Sequence, residues 1–126
     1  MEMKISFPGG QGVNAEFGGL VVHTDQDGSA PSPFSLFLAS LATCAGFYVL
    51  SFCQKRELPV EQIKMTQKSV RDPETHALTD VRLEIEAGPG IPDKYYEAII
   101  RAASQCAVKR ALENPPKIAV TVNGQG

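Results

Sequence analysis

Hydrophobic and polar positions along the chain change period several times. Residues 4–24 break into three short segments separated by glycine: "KISF", "VNAEF" and "LVVHT", with "PGGQG" and "GG" between them. Short runs of this kind, bounded by glycine turns, predict three β-strands. The polar turn "DQDGSAPS" follows, and then "SPFSLFLASLATCAGFYVLSFC", Ser32 to Cys53, which contains no charged residue. Ser32 suits an N-cap, and Pro33 suits the first helical position, where a missing N–H costs nothing. Lys55 and Arg56 favour a C-terminus, and Pro59 closes the helix.

Beyond the helix, "QIKMTQKSV" and "LTDVRLEIEA" are joined by the turn "RDPETHA". Val81, Leu83 and Ile85 alternate with Arg82, Glu84 and Glu86, the two-residue period of a half-buried strand. Lys64 and Lys68 on the first strand can face Glu84 and Glu86 on the second, a favourable pattern for an antiparallel hairpin. A second helix is predicted from about Asp93 to Leu112, with Tyr96, Ile99, Ile100, Ala103, Cys106 and Ala107 on one stripe. "ENPP" stops it, and "KIAVTVN" predicts a last strand. The order is three strands, helix, two strands, helix, strand: an α+β fold with a mostly antiparallel sheet and two central helices, built as a single domain over residues 1–126.

Charge and composition narrow the function. A net charge of −2 over 126 residues gives no general attraction to nucleic acid or acidic lipid. The N-terminus has no basic region followed by an apolar core, so it does not read as a secretory signal. The uncharged stretch is long enough to cross a membrane. Amphipathic strands and a half-polar second helix around it point instead to a helix buried on all sides. A chain of 126 residues can wrap such a helix by placing it at the centre of a dimer. Ser35, Ala39, Ala42, Thr43 and Gly46 would let a second backbone approach closely, so a homodimer is expected and a membrane is not.

Three cysteines, at 44, 53 and 106, are too few and too far apart for a disulfide scaffold, and imply an intracellular, cytoplasmic protein with reduced thiols. Cys44 and Cys53 lie about 180° apart around a helix and roughly 13 Å along it, so they cannot bond to each other. Cys106, on the second helix, can face only one of them. Cys44, beside the small residues, is the better partner. One thiol at the centre of each of two packed helices is the arrangement of a two-cysteine redox site. His23 and His76 stand alone, without ligands at metal-binding spacing, and no glycine pattern matches a phosphate or dinucleotide loop, so neither metal nor cofactor is implied.

"SPFSLFLASLATCAGF", then "KRELP", then "AASQCAVKRAL" resemble the OsmC/Ohr family of osmotically induced and organic hydroperoxide resistance proteins. The resemblance implies an intertwined α+β homodimer with cysteine sites at its interface. It identifies Cys44 with the attacking (peroxidatic) cysteine and Cys106 with the resolving one, while Cys53 packs. It also implies thiol-dependent reduction of organic hydroperoxides, with a cellular dithiol as reductant and a role in the oxidative stress response. The alternative is a non-peroxidase relative whose cysteine-lined cleft binds or carries a small molecule or sulfur species.

The chain departs from the family pattern at three points. No arginine precedes Arg56, Phe34 and Ser35 stand where a glutamate is expected, and Ala107 replaces the proline of the family's Cys-Pro-Val. Cys44 also lies too deep in its helix to feel that helix's own N-terminal dipole. The chain thus keeps two thiols and lacks the family's means of activating the first, which weighs toward the non-peroxidase alternative. Lys109 and Arg110, three and four residues beyond Cys106, are available to support a thiolate there or to bind an anion.

Overall fold

The computed structural model describes residues 1–124 and divides into two compact units, Met1–Ser40 and the chain from Leu41 onward. The first unit holds an antiparallel sheet in the order β1-β2-β3, with β1 Lys4–Gly9, β2 Gly12–Phe17 and β3 Leu20–Asp25. Gly18 and Gly19 form the two-residue link between Phe17 and Leu20, with φ of 55° and 78°. Two consecutive positive φ values define the hairpin turn whose twist matches that of the strands, and glycine reaches them without a Cβ clash. His23 faces Asn14 across the β2–β3 ladder, and its Nδ1 lies 3.1 Å from the Asn14 side-chain oxygen.

Helix α1, Pro33–Lys55, begins in the first unit and continues into the second. Its start matches the sequence reading. The Ser35 N–H donates to Ser32 Oγ at 3.2 Å, and the Leu36 N–H donates to the Ser32 carbonyl at 3.1 Å. At the other end, the Leu58 N–H reaches back to the Cys53 carbonyl at 2.9 Å, and the Glu57 N–H to that of Gln54 at 3.3 Å. These paired bonds are a Schellman cap, which needs a left-handed residue at its hinge. Here that residue is Glu57, with φ of 53°, and not glycine. Arg56 closes the end by lying over the Phe52 ring, 3.8 Å from its centre.

In the second unit, β4 Lys64–Arg71 and β5 Leu78–Glu86 form an antiparallel hairpin. Lys64 faces Glu86 directly, as the charge pattern predicts, but Lys68 faces Arg82. The Lys68 ammonium escapes this like charge by reaching diagonally to Glu84, at 3.3 Å. The core of the unit is small. Ala45, Val49 and Cys53 recur every fourth residue along α1, and Val49 and Cys53 pack with Ile91 and Ile99.

The second helix departs from expectation. After a single 3-10 turn at Asp93–Tyr95, α2 runs only over Tyr96–Ala103, and α3 over Ala107–Glu113. The helix ends where Ser104 Oγ donates to the Ile100 carbonyl at 2.8 Å, beside the Ser104 N–H at 3.0 Å. A hydroxyl competing for that carbonyl weakens helix continuation. Cys106 is therefore not on a helical stripe but is the N-cap of α3, with φ −52° and ψ 125°. The other departure is residues 117–123, which form no strand, because no edge within the described chain pairs with them.

The left-handed Glu57 yields a stability test. A non-glycine residue there costs roughly 1–2 kcal/mol, partly offset by the greater unfolded-state freedom of glycine. Glu57→Gly is expected to stabilise by about 0.5–1 kcal/mol, read as a higher urea midpoint at unchanged slope. A lowered midpoint would refute the strained-cap assignment.

Candidate functional site

The break between α2 and α3 builds the site. The first N–H groups of any helix lack partners within the helix, and Cys106 supplies no side-chain cap to those of α3. The Cys44 sulfur, half-buried on α1, takes that place. Hydrogen bonds from the Val108 N–H, then from the Cys106 thiol, and also from the Ala107 N–H, hold its pKa below the ordinary thiol value, and outweigh the opposing effect of burial. The positive end of the peptide dipoles acts in the same direction, as at other helix N-termini that carry low-pKa cysteines.

Cys106 is 2% exposed, and its thiol also lies 3.8 Å from the Leu41 carbonyl, one turn before Cys44 on α1. Cys44 and Cys106, expected to meet, are thus brought into hydrogen-bonding contact, and both are free thiols. Cys53 is fully buried in the core, where desolvation pushes its thiol pKa up against a smaller opposing pull from Arg56. It packs, as the sequence reading expects. The more exposed of the three sulfurs is the one whose charged form is favoured, and the buried core sulfur is the one whose charged form is disfavoured.

The absent arginine and glutamate leave the site without the expected ion pair, and backbone amides act in their place. Ala107 has a direct part in this. Where the family pattern carries proline, alanine keeps an N–H, and that N–H is one of the three donors to Cys44. Sequence reasoning missed Val108 and Ala107 because backbone donors leave no side-chain signature. The only local hint was the family proline itself, a residue that suits the first position of a helix. Of the two cations expected near Cys106, Lys109 lies 3.9 Å from its helix neighbour Glu113.

A cavity of about 440 Å³ opens beside Cys106. Its walls are mainly aliphatic, including Leu41 and Ala45 of α1, Leu83 and Ile85 of β5, and Ile100 of α2, with Cys106 and Lys109 on one side. Such a volume suits a small organic molecule.

Two changes in thiol reactivity are expected. The Cys44 thiolate is stabilised in the folded state, so its contribution to stability is full above the unfolded thiol pKa and fades as pH falls through the lower folded value. Alkylation of Cys44 by iodoacetamide, followed by peptide mass spectrometry, should therefore show a midpoint below that of a model thiol, with the midpoint of Cys53 above it. Ala107→Pro removes one donor while suiting the first helical position and the extended Cys106 before it. It should raise the Cys44 midpoint, and an unchanged midpoint would exclude the Ala107 N–H as a contributor.

The comparisons with known proteins agree with this architecture. Residues 26–121 match the family profile described as OsmC-like protein. No curated protein matches the chain significantly. Among solved structures, a protein of Psychrobacter arcticus named for osmotic stress induction and detoxification response superposes with a TM-score of 0.74 at 20% identity, over 86% of this chain and 85% of that one. An OsmC-like protein from Mycoplasma pneumoniae gives 0.71 at 14% identity, over 90% and 87%. The organic hydroperoxide resistance protein OhrB of Bacillus subtilis gives 0.54 at 17% identity, over 90% and 93%. At these identities the structures establish the fold, and the profile, spanning most of the sequence, establishes that the chain belongs to the OsmC-like family.

Proposed function

We propose that the protein reduces organic hydroperoxides through Cys44 and Cys106, as a cytoplasmic homodimer. The observation that carries this reading is the Cys44 sulfur, whose pKa is lowered by the α3 amides while it touches a second thiol. The Cys44 thiolate attacks the terminal oxygen of ROOH. An S–O bond forms as the O–O bond breaks, sulfur is oxidised by two electrons, and the alkoxide takes a proton to leave as alcohol. Cys106 then attacks the sulfur of the sulfenic acid, the S–O bond breaks, water leaves, and a disulfide closes. A dithiol reductant restores both thiols by exchange.

The extent of exposure supports the dimer. The most apolar 18-residue window of α1 is only 17% buried, although the helix is long and apolar enough to cross a membrane. Ile118, Val120 and Val122 alternate along the unpaired C-terminal segment, each at least 85% exposed. An apolar helix flank and an alternating segment without a ladder both gain from a second copy of the chain.

The apolar cavity favours a second reading, in which the same dimer binds or carries a small molecule or sulfur species without turnover. Stopped-flow mixing with cumene hydroperoxide separates the two. Thiol loss is expected in wild type, Cys44→Ser should abolish turnover, and Cys53→Ser should leave it nearly unchanged. Cys106→Ser should accumulate the sulfenic acid, seen as a gain of one oxygen in mass. If the wild type leaves the hydroperoxide untouched while Cys44 still alkylates with a low midpoint, the carrier reading replaces the enzyme. Light scattering should give twice the 13.6 kDa chain mass, and a stable monomer would remove the dimer from the proposal.

A further inference from the structure

From the way α3 is held, we propose that this helix is a latch closed by the charge on the Cys44 sulfur, and that joining Cys44 to Cys106 in a disulfide releases it. The inference rests on the proposed pairing of these cysteines as a redox couple and adds a consequence for the fold.

Helix α3 has few means of staying in place. It has seven residues, Ala107–Glu113, and isolated helices shorter than ~12–15 residues are marginal in water. None of its side chains is fully buried, and Leu112 is 51% exposed. Neither a side-chain cap nor an acidic residue steadies its first turn. The ion pair between Lys109 and Glu113 lies within the helix, and the Asn114 N–H closes its end on the Arg110 carbonyl at 2.9 Å. Among the described residues, the hydrogen bonds that tie α3 to another element are those from the Val108 and Ala107 N–H groups to the Cys44 sulfur. Cys106, the residue before α3, is anchored separately, buried with its thiol 3.8 Å from the Leu41 carbonyl. The chain is therefore pinned at 106 in either redox state, and the helix beyond it depends on the sulfur of Cys44.

A thiolate accepts strongly because it is charged, whereas a disulfide sulfur is neutral and accepts only weakly. Two electrons leave the thiol pair as the S–S bond forms. A hydroperoxide takes them up in the proposed reaction. A diazene oxidant, diamide, takes them up equally well, with the Cys106 proton and one from solvent, and becomes a hydrazine. The first amides of α3 then lose their charged acceptor, and the start of the helix loses the contact that fixes it. Lys109 and Leu112 both stand in the cavity wall, so release of α3 opens the cavity on oxidation.

Rapidly quenched hydrogen exchange of the full-length protein, read by peptide mass spectrometry at a pH above the Cys44 alkylation midpoint, tests this. Peptides covering residues 107–113 are expected to exchange about tenfold faster after diamide oxidation than in the reduced protein, the worth of a hydrogen bond to a charged acceptor. Peptides from β4 and from the Ala45–Cys53 part of α1 should keep their rates. Cys44→Ala, which cannot form the disulfide, should show the fast exchange of α3 without oxidant, and Cys53→Ser should show the wild-type contrast. Diamide replaces the hydroperoxide here, so a protein inert to hydroperoxides still reports on the latch and the two failures are read separately. Equal exchange of α3 in reduced and oxidised wild type overturns the inference, and so does slow exchange of α3 in a folded Cys44→Ala. The wild-type comparison decides alone if the variant loses protection throughout α1.

Discussion

The hydrogen bonds between the Cys44 sulfur and the start of α3 are the interaction on which the site depends. They answer two needs at once. The first amides of α3 have no acceptor within their own helix, and a thiolate on a half-buried, apolar helix face has lost part of its hydration. Each supplies what the other lacks. Because α2 stops at Ala103 and α3 restarts at Ala107, those amides are aimed at α1. A continuous helix would have turned the same N–H groups back onto the carbonyls of its preceding turn, leaving Cys44 with a cysteine neighbour and no backbone donors.

This arrangement changes what the departures from the family pattern mean. Loss of the arginine and glutamate removes a charged means of lowering a thiol pKa, and the fixed dipoles of peptide groups remain. Such dipoles do not depend on side-chain conformation and are only weakly hydrated at a half-buried site. Alanine at 107 adds a donor that proline could not provide. The site therefore favours charge on sulfur by geometry rather than by an ion pair.

The same chain is under-buried, and this shapes everything outside the site. Few side chains are fully enclosed, and the stripe Ala45, Val49 and Cys53 covers only one side of a helix that is apolar all round. Burying more of α1 within one chain of this length would take elements that the sequence does not have. An assembly of two copies, as proposed, removes the conflict by sharing the helix between them and giving the C-terminal segment an edge to join.

Much of the fold was legible because it rests on local rules. The turn glycines, the Ser32–Pro33 helix start, the alternation through Val81, Leu83 and Ile85, and the pairing of Cys44 with Cys106 all follow from residue type and spacing. The break at Ser104–Cys106 was not legible, since no glycine or proline marks it and the apolar spacing runs through it unbroken. Nor was the final segment, where alternation correctly signals strand propensity but a strand also needs a neighbouring edge. Residue pattern alone determined which segments are helical or extended and which thiols could meet. Only the tertiary structure decided what surrounds the Cys44 sulfur, because the donors are backbone amides, identical in every residue but proline, and their direction is set by how helices pack.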